Sequence, residues 1–181
     1  MEPKIYDRRA ICALLDAHGI AYTLVEHPRV YTSAQGDALA LPFARSVAKN
    51  LFMCSEKKTA YFLFSLRAHG RADLKALAAA VGEKRLRFAT EDDLFTLLHL
   101  EKGAVTPLGV LNDAGGRVAV YLDASFAGQS IAVHPNDNGA TLCLATNDLA
   151  SVLQNAGHRV CFLPPLHECL PAAPQNGAPP A

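Results

Sequence analysis

Asn50-Leu51-Phe52-Met53-Cys54, Ser55-Glu56-Lys57-Lys58, Thr59-Ala60-Tyr61-Phe62-Leu63-Phe64-Ser65-Leu66: two apolar, β-rich runs stand on either side of a polar four-residue connection. The connection has hairpin length, so this stretch predicts an antiparallel pair of strands. Upstream, Ile11, Leu14 and Leu15 fall on one face of a helix from Asp7 to His18 that Gly19 stops, and Tyr22 to Glu26 reads as a strand ended by His27-Pro28. Thr32-Ser33-Ala34-Gln35 has the form of a capping box and predicts a helix from Ser33 to about Leu41. Downstream, Asp73 and Thr90 are placed to cap two helices, through Leu77 to Val81 and through Leu94 to Leu98, expected to cover one sheet face.

Beyond Leu100, a loop over Gly103 to Gly109 leads to Val110 to Asn112, the turn Asp113-Ala114-Gly115-Gly116 and Arg117 to Leu122, which reads as a second hairpin. Ser130 to Val133 and Ala140 to Leu144 form another strand pair around His134 to Gly139, followed by a helix capped by Thr146 and stopped at Gly157. Hairpins outnumber strand-helix-strand units. The expected fold is therefore α+β, a single domain with a mixed, mostly antiparallel sheet flanked by helices. That domain is expected to span residues 1–163. The remaining stretch, 164–181, mixes six prolines with Ala, Gly, Gln and Asn and reads as an unstructured tail.

The chain has 181 residues, half of them apolar, enough for one core. Its 17 basic and 17 acidic residues balance, so no global field draws it to nucleic acid, and any RNA contact has to be local. The five cysteines form no C-x-x-C pair, and the seven histidines form no H-E-x-x-H, so neither a metal site nor any other cofactor is expected. No apolar run reaches the ~18 residues of a membrane span, and a cytoplasmic protein without membrane or DNA partners is expected. None of the serines sits in a G-x-S-x-G elbow, which excludes the usual serine-hydrolase nucleophile turn. Arg67, Arg71, Lys75, Lys84, Arg85 and Arg87 make a locally basic stretch that reads either as a solvated face or as a contact for an RNA stem.

Three further stretches carry candidate chemistry. Lys49 opens an apolar strand beside Asn50, where its ammonium faces either solvent or a cleft. In Gly103-Ala104-Val105-Thr106-Pro107-Leu108-Gly109, two glycines and a proline fix the backbone and permit close approach of a ligand. His134, in the turn His134-Pro135-Asn136-Asp137-Asn138, is either a structural ring or an acid-base group.

Lys49-Asn50-Leu51-Phe52 resembles the Lys-Asn-Leu-Phe motif of the YbaK/ProX group of free-standing prolyl-tRNA editing domains. The Gly103 to Gly109 loop, continued by Val110-Leu111-Asn112-Asp113, is similar to that group's Gly-Ser-Val-Thr-Pro-Phe-Gly loop and the Leu-Ile-Asn-Asp stretch that follows it. His134, Pro135 and Asn138 match its Phe-His-Pro-Leu-x-Asn segment, with Val133 in place of the aromatic and Asn136 in place of the leucine. The likeness runs from about Ile5 to Val160.

The resemblance implies a deacylase that hydrolyses a wrongly attached amino acid from tRNA, most like the alanine-specific members acting on proline tRNA. It implies that Lys49 places the tRNA 3′ end, that Gly103, Thr106 and Pro107 hold the ester, and that His134 frames the aminoacyl group. Asn50, Leu108, Gly109, Val133, Pro135, Asn136 and Asn138 would line the substrate pocket, and a terminal ribose hydroxyl of the tRNA would assist. The expected partners are the aminoacyl-adenosine end and acceptor stem of a mischarged tRNA, with prolyl-tRNA synthetase as a second candidate. Serine, threonine, cysteine or 2-aminobutyrate as the amino acid, and a non-catalytic module that binds aminoacyl-tRNA, stay open.

Overall fold

The computed structural model describes residues 5–67 and 72–163. The expected tail and Arg71 lie outside the described residues. Helix α1 (Arg8–Ala17) is capped by the Asp7 carboxylate, which accepts from the Ala10 N–H at 2.8 Å, and it buries Ile11 and Leu15. Strand β1 (Tyr22–Glu26) follows, then α2 (Ser33–Asp37), whose Thr32/Gln35 capping box is formed. That helix stops short of Leu41 because Gly36 weakens it and Pro42 biases the residue before it toward extended backbone. The expected hairpin is present as β2 (Ala48–Ser55) and β3 (Tyr61–Arg67), with Asn50 opposite Ser65 and Phe52 opposite Leu63.

Next come α3 (Leu74–Ala80), capped by Asp73, and β4 (Leu86–Phe88), a short strand pairing Phe88 with Met53 of β2. Helix α4 (Glu91–Leu98) starts on a Thr90/Asp93 capping box. The two helices do not share a sheet face. Leu77 and Ala78 of α3 pack with Met53, Phe62, Phe64 and Tyr121, whereas Leu94, Leu97 and Leu98 of α4 enter the larger cluster with Phe52 and Leu63. Successive residues of β2 and β3 point to opposite faces, and β4 between the helices carries the chain across the sheet edge.

The second hairpin is not formed. Residues Pro107–Asn112 make a buried 3₁₀ turn, and β5 (Val118–Asp123) runs parallel to β3, with Val120 opposite Leu63. A three-residue apolar run such as Val110-Leu111-Asn112 fits a strand or a helical turn equally, and here Thr106 caps the turn by accepting from Leu108 N–H. The Asp113 carboxylate then accepts from the Val118 N–H at 2.7 Å and launches β5.

The last two strands of the smaller sheet are β6 (Ser130–Val133) and β7 (Ala140–Ala145), paired as expected. Helix α5 (Thr146–Asn155) has Ala145, not Thr146, at its cap. The Thr146 hydroxyl donates instead to the Gln129 carbonyl at 2.8 Å and ties the helix start to β6. Finally β8 (Val160–Leu163), unforeseen in the sequence, pairs parallel with β5.

Two sheets result. One is antiparallel in the order β1-β7-β6, and the other is mixed in the order β4-β2-β3-β5-β8. Leu63, Val120 and Leu122 of the larger sheet join Ile131, Leu142 and Leu144 of the smaller one, with apolar faces of α1, α4 and α5, in one buried cluster. Fully burying each such side chain contributes about 1.5–3 kcal/mol.

Arg67 belongs to this framework rather than to a solvated basic face. Its guanidinium donates to Ser125 Oγ at 3.1 Å, to the carbonyls of Arg45 and Ser125 at 2.7 and 2.9 Å, and to Gln129 Oε1 at 2.8 Å. It also lies 4.0 Å above the Phe126 ring, where a cation is attracted to the π face. Arg67→Ala is expected to lower stability by about 2–3 kcal/mol in urea denaturation, because the freed carbonyls lose charge-assisted donors.

Candidate functional site

Strand β2 pairs with β3 from Ala48 to Cys54 but with β4 only from Met53 to Ser55, so among the described residues its first half leaves an edge without a strand neighbour. Against that edge lies the segment from Val30 to Leu41. Together they enclose a cleft of about 440 Å³. Its floor is Ala48, Lys49, Asn50 and Leu51 of β2, its roof comes from Val30, Tyr31, Thr32, Leu39 and Leu41, and Ala132, His134 and Thr141 close one end.

The roof is fastened at its base. Val30 N–H donates to the Asn138 carbonyl at 3.1 Å, and the Asn138 amide donates back to the Val30 carbonyl at 3.0 Å. His27 N–H donates to the Gly139 carbonyl at 3.0 Å. Asn138 is only 3% exposed, so this side chain fixes the roof and does not line the cleft. Gly103 wedges in beside it with φ +86°, and a Cβ there would sit 3.0 Å from the Val30 carbonyl oxygen. Of the loop residues, Gly103 and Val105 reach the cleft.

The rest of that loop turns inward. Thr106 is fully buried, and its hydroxyl donates to the His134 carbonyl at 2.6 Å. Thr106 therefore positions the histidine and touches no ligand. Pro107 opens the 3₁₀ turn, Leu108 is fully buried in the core, and Gly109 lets the turn press on Leu100, 2.6 Å from where a Cβ would stand. The inward course of Pro107, Leu108 and Gly109 follows from the 3₁₀ turn that replaces the expected loop and strand.

Period-two alternation also moves a pocket residue by one position. Val133 packs in the core with Ile131, and Ala132 between them faces the cleft. Pro135 is buried and lies outside the lining. Asn136 holds left-handed backbone, φ +59°, and its amide donates to the Tyr6 carbonyl at 2.6 Å. Asn112 accepts from the Tyr6 N–H at 2.7 Å, so the two asparagines clamp the approach to α1. Asp137 accepts from Gly139 N–H and pairs with Arg8. Hence Asn136 and Asp137 serve the N-terminal junction.

Lys49, Asn50 and His134 all line the cleft. Asn50 Oδ1 accepts from the buried Ser65 hydroxyl at 2.7 Å, which orients the amide and leaves its N–H groups to a ligand. His134 Nδ1–H donates to the Ala140 carbonyl at 2.7 Å, so Nε2 carries the lone pair of the neutral ring. Burial lowers the His134 pKa below the ordinary 6.5, the Ala140 carbonyl opposes that shift, and His27 reinforces it. The His27 ring, 6.0 Å away, is held by the Pro28 carbonyl at 2.8 Å and the Thr141 hydroxyl at 2.9 Å.

Sequence reasoning missed the roof, Val105, Ala132, Thr141 and the His27 neighbour. The capping box at Thr32 followed by Leu39 and Leu41 was the available signal for the roof, and it reads as a helix rather than a cover. Chemically, the cleft offers a cationic group and an amide at one strand edge, a neutral imidazole at the end, and apolar walls between them. Such an arrangement can hold a small acyl group next to an anionic or ribose-bearing end and accept a proton from water.

Residues 27–152 match the sequence profile described as the aminoacyl-tRNA editing domain. The chain is 40% identical over 152 residues to the prolyl-tRNA editing protein ProX of Acetoanaerobium sticklandii, spanning 83% of this chain and 93% of that protein. It is 32% identical over 156 residues to the prolyl-tRNA synthetase associated domain-containing protein 1 of Bos taurus, spanning 83% and 91%. A solved structure, that of a candidate trans-editing enzyme for prolyl-tRNA synthetase, superposes with a TM-score of 0.61 at 23% identity, over 86% of this chain and 95% of that one. At that identity the superposition speaks to the fold.

Gly103→Ala is expected to cost about 1–3 kcal/mol, since the new Cβ meets the Val30 backbone in a left-handed conformation. A fall in the thermal midpoint together with earlier proteolysis within residues 30–41 would show it; an unchanged melt would contradict this reading of the wedge.

Proposed function

The chain belongs to the family of aminoacyl-tRNA editing domains, and on that premise we propose that it is a free-standing deacylase that removes a small, wrongly attached amino acid from proline tRNA. The observation that carries this reading is that Lys49, Asn50 and His134 line one cleft of about 440 Å³. Its relatives' names point to prolyl-tRNA editing.

In this reading the terminal adenosine enters along the β2 edge. Lys49 holds ribose or phosphate oxygens and stabilises the charge that develops on the ester carbonyl. The oriented Asn50 amide donates to the same region. Neutral His134 Nε2 accepts a proton from the attacking water as its oxygen bonds to the carbonyl carbon. The bond from that carbon to the ribose oxygen then breaks, and the proton passes to the ribose, releasing free amino acid and tRNA. An aminoacyl ester is already activated, so orientation and electrostatics suffice without a covalent intermediate.

Alanine is the first choice of substrate. Ala132, Val47 and Val105 are among the walls of the cleft that His134 also lines, and small apolar walls suit a methyl side chain and crowd a pyrrolidine ring. Apolar walls separate substrates that differ by one methylene by only about 1–3 kcal/mol. Serine and cysteine esters are therefore expected to be cleaved more slowly rather than refused.

The deciding experiment incubates purified protein with proline tRNA charged separately with alanine, serine, cysteine and proline, and follows loss of each ester. Alanine is expected to go fastest and proline to remain. Inertness toward all four would overturn the reading. Lys49→Ala is expected to lower kcat/KM by about a hundredfold or more, the scale of losing one group that stabilises the oxyanion. Wild-type turnover by that variant would remove Lys49 from the mechanism.

The pH profile tests His134. Its pKa lies below 6.5, so the ring stays neutral as pH falls through that value, and activity fails only as pH drops through the lowered pKa. The acid limb of kcat/KM is thus expected below pH 6.5 and absent in His134→Gln, which retains low residual activity. An acid limb persisting unchanged in that variant assigns the titration elsewhere.

A further inference from the structure

The cleft does not end at Leu51. A second depression of about 310 Å³ shares Asn50, Leu51, Gly103 and Val105 with it and continues along the β2 edge to the corner where β4 gives way to α4. Its floor is apolar, made by Leu51, Leu94 and Val105. Phe88 stands at its far side, 59% exposed, on a strand whose preceding alternate residue, Leu86, is buried. An aromatic ring left that open beside a groove is a stacking surface without a partner in the described fold.

The rim carries one cation and one carboxylate. Lys102 Nζ lies 2.7 Å from Glu91 Oε1, with side chains 72% and 68% exposed, so the pair contributes little to the fold and either member can turn to a ligand. Glu91 and Asp92 also make the start of α4 acidic, which disfavours a phosphate there and directs one to the Lys102 side.

We propose that this groove seats the nucleotide preceding the terminal adenosine of the tRNA, with its base stacked on Phe88. This inference rests on the deacylase reading. If the adenosine occupies the cleft beside Lys49, a strand leaving it toward α4 runs over residues shared by the two depressions. The base it brings is a cytosine in every tRNA, whose exocyclic amino group donates and whose natural acceptor is a carboxylate, here Glu91. Lys102 then meets the phosphate between the two nucleotides. Base stacking on an aromatic ring is the common way proteins hold an unpaired strand. The site would therefore read the single-stranded 3′ end as a feature separate from the amino acid.

The experiment compares wild type, Phe88→Ala, Phe88→Trp and Glu91→Gln on two substrates bearing the ester cleaved fastest in the panel above: full-length proline tRNA, and the same amino acid esterified to adenosine alone. Phe88→Ala is expected to raise KM for the tRNA about tenfold with kcat nearly unchanged, to leave the adenosine ester unaffected, and to be rescued by Phe88→Trp. Glu91→Gln is expected to raise KM for the tRNA alone. Equal kinetics of wild type and Phe88→Ala on both substrates, or equal losses on both, would overturn the subsite and leave the deacylase reading standing. An effect of Phe88→Ala that emerges only with added prolyl-tRNA synthetase would overturn it too, by making the ring a protein contact. If wild type cleaves neither substrate, the deacylase reading fails and the subsite fails with it.

Discussion

The reciprocal hydrogen bonds between Val30 and Asn138 hold the two halves of the site together. One half is a chain segment that leaves β1 and crosses over the larger sheet; the other is the turn joining β6 to β7. Without that pair of bonds the roof keeps the His27–Gly139 bond and the contacts of a five-residue helix, α2, too short to hold by itself. Both carbonyls are satisfied and the amide is buried, so the fastening is rigid in the way that buried, fully paired polar groups are. Gly103 is the third member. Its missing side chain lets the next loop lie against the same backbone, and through Thr106 that loop reaches the histidine.

The buried Thr106 and Asn138 thus hold other groups of the cleft in place, while Lys49, Asn50 and His134 line it. The distinction follows from burial. A threonine with no exposed surface has no route to a ligand, yet its hydroxyl fixes the carbonyl of the residue whose ring does have one. Asn136 carries this further: it stands in the same turn as His134 and spends its amide on Tyr6, so the turn also anchors the approach to the first helix.

Local signals in the sequence carried much of the fold. Asp7, Thr32, Asp73 and Thr90 cap where their side-chain chemistry says they should, and the polar connection after Cys54 does join a hairpin. The parallel strands were not legible. Nothing within Val118 to Leu122 states that its neighbours are β3 and β8, because parallel pairing is set by distant chain and leaves no turn signature. The same limit applies at the site. Lys49, Asn50, Gly103 and His134 were found through their motifs and do line the cleft, but which of Ala132 and Val133 faces it depends on register, and a shift of one residue reverses the answer. The partner of Asn136 is Tyr6, about 130 residues away, a distance no local pattern spans.

The pairing of β1 with β7 has a kinetic side. Tyr22 meets Leu144 roughly 120 residues later in the chain, so the smaller sheet closes a very long loop. The hairpin of β2 and β3, by contrast, is local and can form early. The strand edge bearing Lys49 is thus available to the folding chain before the roof and the histidine can be brought to it. Chains halted before that closure carry the cation but no enclosed cleft.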